Sequence, residues 1–232
     1  MSGAGAGAGR RTAAVLVACA AVTLLVAWYA GSRFAPSAVA PAPGSVRLGP
    51  EGGEDVATYL ARLPATLPPD GVRAPALVQL DAEAVPPDAL AAVAGTTVLT
   101  AVFRVPLPRV QTALRFVVLE PGVPVAAALD NARVRAEREA ATDASHLTGR
   151  ARAVAATEAA ALGRPDCRCV VALVVDGDRA GLDAVARRTP VRAVEAAPPG
   201  TTDAELALSP LLPEQTARAD PPPDDGPVPP AS

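Results

Sequence analysis

Two cysteines separated by one residue are the first candidates for chemistry in this chain. Cys167-Arg168-Cys169 begins a predicted β-strand, where side chains two positions apart share one face. Such a pair could bind a soft metal ion or undergo redox chemistry, with Arg168 lowering the thiolate pKa. Two thiolates do not complete a zinc site, and the only histidine is distant in sequence. Ordinary strand-edge cysteines, free or bridged, are the simpler interpretation, although a bridge here would close a very small ring.

Three arginines surround a predicted hairpin. Arg104 and Arg115 flank a proline-rich connection, and Arg109 lies within it. Together their guanidinium groups could hold an anion, because arginine matches carboxylate and phosphate geometry. Solvated strand residues beside a turn explain the same three positions equally well. The candidate binding residues are therefore these three arginines and the two cysteines above.

The remaining polar candidates favour structural roles. His146 is the only histidine and follows Ser145 in a helical segment, where neighbours point to different sides and make a poor nucleophile–base pair. Asp176-Gly177-Asp178 resembles the start of a calcium loop, but the later oxygen ligands are missing, so a polar turn is expected. Glycine-rich phosphate loops, nucleophile elbows and paired metal-ligand motifs are absent from the sequence. We expect no enzymatic activity and no cofactor or metal.

A unit of strand, acidic turn, short helix and strand occurs twice. The first copy spans residues 76–105 and the second 170–195, and both helices contain L-x-A-V-A. The shared pattern is short and rich in alanine, so a distant repeat is one interpretation. Apolar strands joined through short helices predict β-α-β crossovers, which are right-handed and bury one face of a sheet.

Residues 96–120 predict a hairpin with a proline-flanked connection, and the first strand of this hairpin is the last strand of the first copy. Between the copies, residues 125–162 predict a long helical region broken at Gly149. The resulting order of strand, helix, strand, strand, long helix and strand is that of a ferredoxin-like, split β-α-β fold. We therefore predict an α+β domain with one mixed sheet, helices mainly on one face, and an extra helix and strand at its end. An open three-layer α/β arrangement is the alternative.

The predicted domain spans residues 54–212. Apolar residues at helical spacing in 54–63 predict a short docking helix, and the mildly apolar stretch 204–212 is expected to dock back. Residues 31–53 are rich in Pro, Ala and Gly, as in a linker. Residues 213–232 are dominated by proline and aspartate, a composition that predicts disorder.

An uncharged apolar run, residues 13–30, precedes the linker. At 1.5 Å per residue this run spans roughly 27 Å, enough for a bilayer core. Arg10 and Arg11 before it favour a cytoplasmic N-terminal tail, residues 1–12, and a domain outside the cell membrane. A cleaved signal peptide and a lipoprotein signal at Cys19 are alternatives, but the run is long and Pro41 follows the possible cleavage site. We expect an uncleaved, single-pass anchor.

Composition narrows the possible partners. All 21 basic residues are arginine, the net charge is −3, and only 3% of residues are aromatic, which argues against nucleic-acid binding. In outline the chain resembles the uncharacterised single-pass membrane proteins of actinobacteria, with a short tail, one anchor and a small outer domain. That resemblance rests on no motif and implies no active residues. We expect an envelope accessory or scaffold that binds an envelope protein. A sensor of small ligands, anions or metals is the alternative.

Overall fold

The computed structural model describes residues 45–231 of the 232-residue chain. The predicted tail 1–12, the predicted anchor 13–30 and most of the predicted linker lie outside these residues. Within residues 45–231, no helix has the length and apolar character needed to cross a membrane. The strands are β1 Val46–Leu48, β2 Arg73–Ala84, β3 Thr97–Phe103, β4 Arg115–Val118, β5 Val170–Asp178, β6 Val191–Ala196 and β7 Leu206–Leu208. The helices are α1 Val56–Arg62, α2 Pro86–Ala92, α3 Val125–His146, α4 Gly149–Leu162 and α5 Arg179–Ala186, with 3₁₀ turns at Leu63–Thr66 and Asp203–Glu205.

Local signals in the sequence account for the helix boundaries. The Asp55 carboxylate caps α1 by accepting from the Thr58 N–H at 2.8 Å, and Asp178 caps α5 through the Gly181 N–H at 2.8 Å. Helix α2 begins at a proline, which needs no hydrogen bond in the first turn. The predicted long helical region does divide before Gly149, whose φ is +56°. The predicted break of the long helical region at Gly149 is confirmed.

Strand boundaries differ more from the sequence predictions. The predicted polar turn at Asp176-Gly177-Asp178 is wrong, because β5 continues through these residues and leads directly into α5. Asp176 pairs with Pro75 and Gly177 with Ala74, so a longer β2 extends β5 beyond its apolar run. Strand β4 is also shorter than the second strand of the predicted hairpin and covers only four residues.

The main sheet has five strands in the order β4-β3-β5-β2-β6, and every neighbouring pair is antiparallel. The prediction of one mixed sheet is therefore wrong. The strands that a helix connects do run parallel to each other, but they are not neighbours in the sheet. An antiparallel strand lies between them: β5 lies between β2 and β3, and β2 lies between β5 and β6. A second sheet consists of β1 and β7 in parallel, with Val46 opposite Leu206.

The two faces of the main sheet are covered differently. Helices α2 to α5 all pack on one face, around a core that includes Phe103, Leu129 and Leu173. On the other face, Leu77 and Val102 pack beneath Leu48 and Leu212 from the small sheet and the segment that follows it. The fold is thus mixed α+β with its main helices on one face, as predicted, but its main sheet is antiparallel and not mixed.

The segments flanking the predicted domain are also ordered parts of it. Residues 45–53 of the predicted linker contain β1 and the buried Leu48. Residues 213–231 contain no helix or strand, yet they lie against the domain, which differs from the predicted disorder. The Ala219 N–H donates to the Glu54 carbonyl at 2.9 Å, and the Val56 N–H donates to the Ala217 carbonyl at 2.9 Å. Composition does not predict that this segment packs on the domain, because backbone hydrogen bonds and ion pairs hold it rather than apolar burial.

Candidate functional site

Arg104, at the end of β3, is buried and fully engaged with carboxylates. Its side chain is 4% exposed. Nη1 donates to Glu83 Oε1 at 3.2 Å and to Glu214 Oε2 at 2.9 Å, and Nη2 donates to the other Glu214 oxygen. Two carboxylates surround this guanidinium group, so its role in the structure is to join β2 to the C-terminal segment.

Arg109 lies in the connection between β3 and β4 and has the opposite environment. Its backbone is left-handed, with φ +56°, and its side chain is 61% exposed. Nε and Nη2 form a two-pronged pair with the Asp225 carboxylate, the first contact measuring 2.7 Å. The hydrogen bonds and charge of this pair raise the pKa of Arg109 and lower the pKa of Asp225.

Arg115, the first residue of β4, is buried between the sheet and helices α3 and α4. Nη2 donates to Glu158 Oε2 at 2.7 Å and lies 2.9 Å from Asp143 Oδ2. Burial alone would lower the pKa of Arg115, but the two carboxylates outweigh it and the pKa is raised. The Nε of Arg115 is buried and has no hydrogen-bond partner among the described residues.

The structure brings together two of the three predicted arginines. Arg104 and Arg109 line one cleft of about 420 Å³, while Arg115 belongs to the separate network under the helices. Glu83 of β2 pairs with Arg104, and the other carboxylates bound to these two arginines, Glu214 and Asp225, come from the chain's own C-terminal segment. The sequence analysis missed these acids because it treated the segment as disordered, although Asp224-Asp225 within a proline-rich stretch was a visible signal.

The C-x-C pair is bridged. Cys167 and Cys169 form a disulfide with their Cα atoms 5.4 Å apart, and both are buried. They precede β5 rather than starting it, and the Cys169 backbone bonds to Ala84 on one side and Arg104 on the other. Among residues 45–231, no three His, Cys, Asp or Glu side chains are grouped as metal ligands.

The other polar candidates occupy helix ends. His146 is the exposed last residue of α3. The Ser145 hydroxyl donates to the Thr142 carbonyl at 2.7 Å, so the helix backbone uses that hydroxyl. Asp178 caps α5, as described above. The contacts of His146 and Ser145 agree with their structural interpretation, whereas Asp178 is a helix cap and not part of a polar turn.

A buried polar network that the sequence analysis missed joins α1 to the sheet. Glu195 accepts from the Tyr59 hydroxyl at 2.9 Å and from Arg62 Nη1 at 3.2 Å, and it also binds the Gly49 N–H. Gln79 donates to the Tyr59 oxygen at 2.7 Å. Burial, and next the charge of Glu195, raise the pKa of Tyr59, so the phenol stays protonated and donates. The network is enclosed and serves to fix α1 on the domain.

An apolar cleft lies at the other edge of the sheet. It is a cleft of about 650 Å³ between the end of α2, strand β3, the end of β4 and the start of α3. Its apolar lining includes Leu90, Val93, Val98, Val118, Val123 and Val125. Beside it, the side chains of Phe116 and Val118 are 43% and 59% exposed on the face of the sheet that carries no main helices.

Strand β4 is also an open edge. It pairs with β3 on one side, and no strand within residues 45–231 pairs with its other side. The Leu119 N–H points toward β3, so in an antiparallel ladder the backbone groups of Phe116 and Val118 point away. Arg135 covers part of this edge by donating to the Val118 carbonyl.

Comparisons of the chain with protein-family models, with curated proteins and with solved structures find no match.

Proposed function

We propose that this protein is a membrane-anchored, extracytoplasmic domain that acts by binding an envelope protein, as an accessory or scaffold. The observation that carries the proposal is the open edge of β4 beside an apolar cleft. Exposed large apolar side chains, unpaired strand backbone and a cleft of ligand size lie together there, a combination that marks protein-binding surfaces.

The partner expected at β4 is an extended apolar segment that adds to the sheet as a sixth strand. Backbone groups of Phe116 and Val118 would pair with it, and alternate side chains of the partner would pack on Phe116 or enter the cleft. Natural edge strands are usually protected by charge or by covering elements. Here Arg135 protects only the Val118 carbonyl end, which leaves the strand open toward Phe116.

Site-specific photocrosslinking in intact cells tests this surface. A photoreactive amino acid replaces Phe116 in the full chain, and in a matched control it replaces Leu147, which is equally exposed at 42% but lies between α3 and α4. We expect a discrete adduct only from position 116, lost in a Val118→Lys background and degraded by protease added outside the cells. Equal adducts from both positions, or none from position 116, would contradict the surface. An adduct protected from protease would contradict the extracytoplasmic location.

We also propose a finer description of the fold, as an elaborated ferredoxin-like domain. In such folds four strands lie in the order fourth, first, third, second. The order β6-β2-β5-β3 supports this, with α2 and α5 as the two crossover helices. These are the elements of the two repeat copies, so β4, α3 and α4 become an insertion between them. In the arrangement predicted from the sequence, β4 and the long helical region belong to the ferredoxin-like core, and α5 and β6 are the additional elements.

The alternative function, a sensor of small ligands, anions or metals, draws support from the 650 Å³ cleft for an apolar ligand. It draws less from the arginines, because carboxylates of the chain already engage Arg104, Arg109 and Arg115.

A further inference from the structure

The C-terminal segment Pro222–Pro229 lies across the β3–β4 connection and α4, and its acidic pair is bound there. The Asp225 carboxylate meets the guanidinium of Arg109 in the two-pronged pair described above. The neighbouring Asp224 accepts from Arg150 Nη2 at 2.9 Å and from the Gln111 N–H at 3.1 Å. These contacts lower the pKa of both aspartates, so each is bound as a carboxylate.

The backbone of the same segment is bound as well. Gln111 Nε2 donates to the Pro222 carbonyl at 2.7 Å, Arg150 Nη1 to the Gly226 carbonyl at 2.8 Å, and the Thr157 hydroxyl to the Pro229 carbonyl at 2.7 Å. In return the Gly226 N–H donates to the Arg109 carbonyl at 2.7 Å. We call the surface formed by Arg109, Gln111, Arg150 and Thr157 the tail groove.

Gly226 adds a steric requirement. A Cβ at this position would lie 2.4 Å from the Pro108 carbonyl oxygen and 2.9 Å from the Arg109 Cβ, so no larger residue fits without moving the backbone. The tail groove therefore selects two adjacent carboxylates followed by a glycine, in a proline-rich chain that bends at the glycine. The prolines on both sides of this stretch restrict the free chain, so less conformational entropy is lost when it binds.

The ion pairs that hold the segment are exposed. The side chains of Arg109 and Asp225 are 61% and 63% exposed, and those of Arg150 and Asp224 are 42% and 47% exposed. Exposed pairs contribute little net stability and are readily exchanged for other ion pairs. The sequence of the segment thus determines where it binds, while the covalent connection to the domain keeps it bound.

We propose that the tail groove is a peptide-binding site for acidic, proline-rich segments of partner proteins with the pattern Asp-Asp-Gly-Pro, occupied in cis by the chain's own tail. The tail acts as a built-in competitor. A short tether gives an effective concentration of roughly 1 mM. For an intrinsic Kd of about 0.1 mM, occupation in cis weakens binding of a second segment about tenfold. The site is independent of β4 and of the partner proposed there.

The test uses a full-length chain whose tail is displaced but whose groove is intact. Gly226→Ala with Asp225→Asn removes the close fit and one ion pair without changing Arg109 or Arg150. The probe is a fluorescent peptide with the wild-type sequence of residues 219–231, and binding is measured by anisotropy. We expect the displaced-tail chain to bind the probe about tenfold more tightly than wild type. The matched control is Gly52→Ala, a glycine with open space around it, which should behave as wild type.

Charge reversal in the groove completes the test. In the displaced-tail background, Arg109→Glu with Arg150→Glu should abolish binding, as should the same Gly226→Ala change placed in the probe. Binding that survives the charge reversal, or equal binding to wild-type and displaced-tail chains, would overturn the proposal. So would a wild-type dimer that dissociates on Arg109→Glu, because the groove would then hold the tail of a second copy.

If the displaced-tail chain fails to fold, hydrogen exchange on the wild-type chain replaces it. Probe at several millimolar should speed exchange at the Gly226 amide of the tail and leave the amides of β5 unchanged. An unchanged Gly226 amide would overturn the proposal.

Discussion

Arg109 lies in the β3–β4 connection and Arg115 begins β4 six residues later, yet their side chains have different roles. Arg115 is 7% exposed and is enclosed with Glu158, which is 3% exposed. Arg109 is mostly exposed and holds a carboxylate from a distant segment of the chain. Both form close ion pairs with good geometry. The two ion pairs differ in how far they are exposed to solvent.

The comparison shows why burial decides the role of an ion pair. Breaking a buried pair by removing one partner leaves an uncompensated charge, at a cost of about 3–5 kcal/mol. An exposed pair can lose its partner to water at little cost. Arg115 is therefore suited to hold β4 to the helices permanently, and Arg109 is suited to exchange one carboxylate for another.

The largest expected effect comes from the buried pair. Glu158→Gln keeps the acceptor for the Ala113 N–H but replaces the carboxylate facing Arg115. We expect the free energy of unfolding to fall by about 3 kcal/mol, the lower end of the range because Asp143 still faces Arg115. Chemical denaturation measures it. The control Glu139→Gln changes a half-exposed acid 4.0 Å from Arg115 and should cost no more than about 0.5 kcal/mol. Equal losses of unfolding free energy in the two variants would show that burial does not determine how much an acid facing Arg115 contributes to stability.

A smaller effect is expected at the buried network of α1. Tyr59→Phe removes the hydroxyl that donates to Glu195 and accepts from Gln79, and leaves both without that partner. We expect a loss of about 1–3 kcal/mol in the free energy of unfolding. Thr58→Val, which removes an exposed hydroxyl from the same helix, is the control and should have little effect. A neutral Tyr59→Phe would show that the network adds no stability through this hydroxyl.

The smallest effect concerns the exposed pairs and depends on pH. The folded-state pKa of Asp224 and Asp225 lies below their ordinary value of 3.8. Their contribution to tail binding is therefore complete above that ordinary value and is lost as the pH falls through the lowered pKa. Titrating the Gly226 amide resonance from neutral pH to about 2 should reveal tail release in this window. A chain with Asp224→Asn and Asp225→Asn should lack the transition, and a wild-type tail that stays bound at the lowest pH would contradict it.

Predictions from the sequence succeeded where the signal was local. The break at Gly149 follows from residue types within a few positions, and in the stretch 204–212, which was predicted to dock back, Leu211 and Leu212 are buried. The strand ends were less predictable. Asp176 and Gly177 are in β5 because Pro75 and Ala74 of β2 pair with them. Thr97 of β3 also pairs with Asp176, and all these partners are distant in sequence.

The sequence predicted the arginines of the candidate site but not the groups that they bind. Arg104, Arg109 and Arg115 were identified as anion-binding candidates, and each does bind carboxylates in the structure. The sequence could not indicate that Arg115 would be buried, or that the other two would bind the tail. Both outcomes depend on which surface the tail and the helices cover.

The sequence by itself determined the type and order of the elements from α1 to β6, because caps, prolines and apolar periodicity act over a few residues. The tertiary structure alone decided the strand order, the insertion of β5 between β2 and β3, and the burial of Arg115. It also decided that residues 213–231 pack on the domain. A proline-rich segment buries too little apolar surface to fold by itself, but arginines brought together by the β3–β4 connection and α4 supply the hydrogen bonds and charges that hold it.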